Sequence, residues 1–183
     1  MKVSQAYSII ALIFANNFAK AMNEENLKKL TNSWVIKTEN IENEKGLELW
    51  QKALQTDDAN SIESDLASFG GACVLKFFKQ VSEEKVDEFY KSINFNKPFK
   101  ELKSSHISNM LALLSAILKN DTNDKSHALL GLYLSEYLLP STVLFAKFIR
   151  YNAKTYYYKA LGEFLIDYCK ILKSTLGLRM EIE

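Results

Sequence analysis

Turn-forming residues are scarce in this sequence, with six glycines and two prolines in 183 residues. A hairpin-built sheet or a series of βαβ units needs punctuation far more often than that, so the chain is predicted to fold into long helices joined by few loops. A composition of 48% hydrophobic and 25% charged residues belongs to a globular protein and excludes a disordered one. The length suits one domain, residues 1–183, able to bury roughly 70% of its unfolded surface. The expected fold is an all-α, single-domain bundle of about eight or nine helices.

Apolar periodicity places the helices. Ile10, Phe14 and Phe18, with Tyr7 and Ile13 beside them, predict a first helix over about Val3–Met22. Asn23 can cap a short second helix with Glu24 and Glu25 in its first turn. Thr38–Lys45 reads as a loop, and Gly46 leads into a third helix with Leu47, Trp50 and Leu54 in register. Ile62, Leu66 and Phe69 mark a fourth, interrupted at Gly70-Gly71, since two glycines in a helix interior cost about 1 kcal/mol each relative to alanine. Cys73–Gln80 is assigned as helix from its neighbours. Ser82 caps a helix with Val86, Phe89, Tyr90 and Ile93 on one face, and Asn94–Lys103 is a loop. Ser104 or Ser105 caps the next helix, whose apolar face runs from Ile107 to Leu118. Lys125–Leu138 is apolar on nearly all sides and is expected to lie centrally. Pro140 suits the first turn of the following helix. Thr155 opens the last long one, and the tail after Gly177 is expected to be loose. Tyr156-Tyr157-Tyr158 cannot all point inward at about 100° per residue, so at least one must meet a surface or a groove.

Charge narrows the function. Twenty-three basic and 22 acidic residues leave a net charge of +1, and only Arg150 and Arg179 are arginines. No excess exists to hold a polyanion, and nucleic acid is not an expected partner. Cys73 and Cys169 stand in no CxxC pattern, which fits buried thiols in a reducing cytoplasm better than a disulfide framework or a zinc site. Ala19-Lys20-Ala21 imitates a signal-peptidase site. The single lysine before it, the interruptions at Ser8 and Asn16-Asn17, and the helical stripe argue for a retained first helix. No uninterrupted apolar run reaches ~20 residues, so no stable membrane insertion is expected.

No GxSxG, HExxH, P-loop or GxGxxG pattern occurs. His127 reads as a packed or end-capping histidine. Glu84, Asp87 and Glu88 share a helix face and could hold Mg²⁺ in a metal-dependent helical nucleotide hydrolase. A second matching acidic pair is missing, and a solvated face is the simpler reading. A purely structural helical interaction protein is a third reading. His106, in a first turn behind Ser104-Ser105, is placed at the rim of a groove.

The helix order resembles the TorD/DmsD/NarJ family of redox-enzyme maturation chaperones. The residues that carry the resemblance are Phe89-Tyr90-Lys91-Ser92-Ile93, the Pro98 loop, Ser104-Ser105-His106-Ile107-Ser108-Asn109-Met110-Leu111, the helix ending Tyr137-Leu138-Leu139-Pro140, and Tyr156-Tyr157-Tyr158-Lys159-Ala160-Leu161. His106 matches the histidine of the family's acidic-histidine motif, and Phe69 the aromatic of a second signature. The resemblance covers roughly residues 1–175 and implies a TorD-like fold. It also implies a cytoplasmic, non-enzymatic chaperone, without a cofactor of its own. Such a chaperone binds the signal peptide, often twin-arginine, of a molybdenum-cofactor oxidoreductase precursor. On that reading Phe69 and Met110 line an apolar groove, Ser105, His106 and Asn109 form its lip, and Asp65 meets a client arginine. Client binding would then vary with pH through His106. Helix exchange offers a route to a homodimer.

Overall fold

The computed structural model describes residues 3–175, so the tail after Gly177 and Arg179 lie outside the described residues. Nine α-helices and no paired strands occur among these residues: α1 (Val3–Ala19), α2 (Glu24–Leu27), α3 (Ile41–Thr56), α4 (Ala59–Phe69), α5 (Glu83–Ser92), α6 (Ile107–Lys119), α7 (Asp124–Tyr133), α8 (Leu139–Asn152) and α9 (Tyr156–Thr175). The protein is an all-α helical bundle, as the shortage of turn residues requires.

Local chemistry starts most of these helices where the sequence says it should. Asn23 accepts from the Asn26 amide at 2.9 Å, and Ser82 from the Lys85 amide at 3.1 Å. Asp58 and Ser61 form a reciprocal capping box that opens α4. Three segments differ from expectation. α3 begins at Ile41, inside the polar stretch assigned to a loop. Cys73–Gln80 is not an α-helix: two short 3₁₀ turns, Gly70–Cys73 and Leu75–Phe78, carry the chain past the glycine pair. A π turn, Leu134–Leu138, joins α7 to α8.

The central helix is α9, with thirteen of its twenty residues buried. It packs on α3, α4 and α8, while α1 pairs with α6. α7 is not central: only Leu130 and Tyr133 are buried there, and Leu132 is 48% exposed. Its high leucine content reflects two helical faces, one of them turned outward. The 29-residue run Asp124–Asn152 is long and apolar enough to cross a membrane by length and composition alone, and half of its most apolar stretch is buried in the bundle.

Two close approaches fix the packing. At Gly162 an added Cβ would stand 3.0 Å from the Arg150 backbone nitrogen and 3.1 Å from the Ala146 carbonyl, so α8 and α9 touch backbone to backbone. At Gly46 it would stand 2.5 Å from the Phe164 ring, which Trp34 covers in a parallel stack at 4.2 Å. Between α3 and α9 runs a polar seam. Asp167 accepts from Thr38, Asn40 and Asn43 at 2.7–2.9 Å, and Lys170 pairs with Glu42 at 2.8 Å. Nearby, the buried Glu163 pairs with Arg150 of α8 at 3.0 Å. Burial pushes the Glu163 carboxyl upward against the pull of Arg150 and Lys45. These inward-facing acids explain why the start of α3 looks like a loop in composition.

Candidate functional site

The six residues expected to line a client groove lie inside the fold. Asp65, 2% exposed, accepts from the backbone amides of Lys154 and Thr155 at 3.1 Å or less, and from the Thr155 hydroxyl at 2.6 Å. Its carboxylate therefore caps the start of α9, where unpaired N–H groups and the helix dipole favour an anion. It is not free to meet a client arginine. Phe69 sets its edge against Tyr158 and Phe148 at 5.1 and 6.3 Å.

Ser105 is fully buried and donates to Glu83, whose carboxylate also takes the backbone amides of Ser104 and Ser105 at 2.7 and 3.3 Å. With both serines held by α5, the α6 cap falls to His106. Its Nδ1 accepts the Ser108 amide at 3.2 Å. The ring is 8% exposed, and burial pulls its pKa down to about 4 against the opposing field of Glu83. A neutral imidazole between pH 6 and 8 cannot supply the expected pH-sensitive lip. Asn109 bonds to both backbone groups of Phe99 and to the Lys103 carbonyl. Met110 is enclosed, its sulfur receiving the Tyr90 and Tyr133 hydroxyls at 3.6 and 3.7 Å. Among the described residues, none of the five main clefts includes the His106 ring. The nearby cleft of about 510 Å³, which touches Tyr90, Asn94, Lys97 and Ser104, is predominantly polar and does not include it.

The other sequence candidates also resolve. His127 is exposed, not packed, with Nδ1 3.1 Å from Asp121 beside the start of α7. Tyr157 and Tyr158 are buried while Tyr156 reaches solvent, with the ammoniums of Lys52 and Lys159 over its ring at 5.9 and 5.5 Å. Glu84 and Glu88 are exposed, and Asp87 accepts the Ser104 hydroxyl. Among the described residues no group of three or more His, Cys, Asp or Glu is placed to hold a metal ion.

A different opening is built around the link from α1 to α2. One cleft of about 440 Å³ brings Met22 against Leu66 and Ala67 of α4, with Glu24, Asn60 and Glu63 exposed around it. A second, of about 460 Å³, brings Asn16, Asn17 and Asn26 together with Phe99. Both are lined by Lys20–Asn23, so that link separates two halves of one irregular groove. Among the described residues, the side-chain amides of Asn16, Asn26 and Asn60 have no hydrogen-bond partner. A carboxamide offers both a donor and an acceptor, the complement of a peptide bond. The Leu66 position was legible as helical, but nothing in the sequence marked Met22 or Phe99, because each turns toward the groove only through contacts far along the chain.

Compared with protein-family models, with curated proteins and with solved structures, the chain finds no match in any of the three.

Proposed function

We propose that this protein is a non-enzymatic cytoplasmic chaperone that holds the precursor of a molybdenum-cofactor oxidoreductase by its signal peptide, the role implied by the helix order. The observation that carries the reading is the paired groove around Lys20–Asn23. Met22, Leu66 and Phe99 offer apolar contact, open asparagine amides suit a peptide backbone, and Glu63, beside a Glu24 that Lys28 holds at 3.1 Å, suits a cationic residue. A signal peptide combines those features: a short apolar stretch beside arginines or lysines. On this reading the client would bind at the α1–α2 link and not at His106.

The test is fluorescence anisotropy with a labelled twin-arginine signal peptide. Measurable affinity is expected. Leu66→Asp, or the pair Glu24→Lys and Glu63→Lys, should weaken it about tenfold or more, the worth of one lost apolar anchor or of two reversed charges. Co-purification from native cytosol should return a molybdoenzyme precursor. No binding, or binding indifferent to these changes, overturns the reading. A thermal shift produced by Mg²⁺ with nucleotide would instead revive the hydrolase alternative.

A further inference from the structure

The acids are unevenly distributed along the chain. None occurs from Leu66 to Ser82 or from Tyr137 to Gly162, although these stretches carry Lys76, Lys79, Lys147, Arg150, Lys154 and Lys159. The fold brings the two stretches together: the 3₁₀ turn Leu75–Phe78 packs on α8. At that junction the aromatic rings are not fully covered. Phe77 is 57% exposed, and its ring and that of Phe78 each lean on Phe148 at 6.4 Å. Leu144, Phe148 and Tyr151 follow at i, i+4 and i+7 on α8, and Tyr151 is 75% exposed. The sequence Lys76-Phe77-Phe78-Lys79 thus presents two phenylalanines between two exposed lysines. Arg150 is engaged by Glu163, and Glu83 and Glu84 on the first turn of α5 share a cleft with Lys76 and Lys79; among the described residues Lys79 and Lys147 make no ion pair.

We infer that this aromatic and basic face docks the protein on an anionic lipid bilayer, with Phe77 entering the headgroup–acyl boundary and the lysines reaching lipid phosphates. Two features select that occupant. The surface is assembled from a turn and a helix, so it does not offer the single-helix stripe that a protein groove accepts. Phenylalanine and tyrosine among lysines are the side chains that settle at a membrane interface, with apolar rings below and cations level with the phosphates. Single-stranded nucleic acid also stacks on aromatic rings, but it needs a channel that follows its backbone.

The experiment is vesicle flotation of the full-length protein. It is expected to rise with vesicles of phosphatidylglycerol and phosphatidylcholine and to stay behind with phosphatidylcholine alone. Phe77→Ser and the double variant Lys76→Gln, Lys79→Gln should each lower the bound fraction's partition coefficient about tenfold with unchanged melting. If Phe77→Ser melts lower, Tyr151→Ser provides the same reading from an exposed side chain. Wild type that never floats, variants that float as well as wild type, capture of a single-stranded oligonucleotide in place of vesicles, or a dimer dissolved by Phe77→Ser would each overturn the assignment.

Discussion

Removing the Asp65 carboxylate should cost this protein much of its stability. The side chain receives two backbone N–H groups and one hydroxyl from Lys154 and Thr155, 89 and 90 residues away, at the start of the buried helix α9. A hydrogen bond to a charged acceptor contributes about 1.5–3 kcal/mol, and the donors here do not add independently. An anion at a helix N-terminus contributes up to about 2 kcal/mol more in a partly buried setting. Asp65→Ala leaves Thr155 with an unpaired buried amide and hydroxyl, and should cost about 4 kcal/mol of the roughly 5–15 available to a domain. For a chain of this size that is a fall in Tm of roughly 8–16 °C. Asp65→Asn keeps an acceptor but loses the charge, and should cost about half as much. The assay is urea unfolding followed by circular dichroism, with a check that the m-value is unchanged. The decisive comparison is signal-peptide affinity measured on folded Asp65→Asn: a capping residue leaves it within about twofold. Loss of stability below about 1 kcal/mol in Asp65→Ala would refute the capping argument, since a residue merely packed at the surface costs no more than that.

Other outcomes follow from the same geometry. His106 is neutral when folded and has a pKa of about 4, below the roughly 6.5 of the unfolded chain. Between those values the unfolded state binds the extra proton, so acidification from pH 6.5 to 4 should remove about 3 kcal/mol of stability, a slope that His106→Gln abolishes in urea titrations. Gly162→Ala should destabilise by at least about 2 kcal/mol, because α8 backbone cannot yield to a methyl group; Gly46→Ala should also quench the Trp34–Phe164 stack in near-ultraviolet circular dichroism. Burial raises the Cys73 and Cys169 thiols to about 11 and 12. Neither should react with a thiol reagent at pH 8 until the protein is unfolded, and a fast reaction in the native state would contradict their placement.

The helices were legible because capping and periodicity are local. Asn23, Ser82 and Pro140 sit where a reader of the chain would put them. What failed was partnership across distance. Ser104 and Ser105 have the chemistry of caps, but Asp87 and Glu83 claim their hydroxyls from another helix, and the cap passes to an imidazole. Glu42 and Asn43 look like loop residues until Lys170 and Asp167 are seen opposite them. Asp65 looked available for a ligand because its true partner lies 90 residues on. A polar residue on a helix advertises hydrogen-bonding capacity; only the tertiary fold decides whether that capacity is still open.

The π turn Leu134–Leu138 gives the long run from α7 to α8 one residue too many for uniform winding. Before it, Tyr133 reaches the Met110 carbonyl at 2.7 Å; after it, Phe145, Ala146 and Ile149 are buried, and Gly162 of α9 lies against Ala146 and Ile149. The surplus residue acts as an angular gear of about 100°, letting one rod mesh with two differently oriented neighbours. Trimming Ser135 would restore even winding and swing Phe148 and Tyr151 of α8 out of phase with the Phe77 turn.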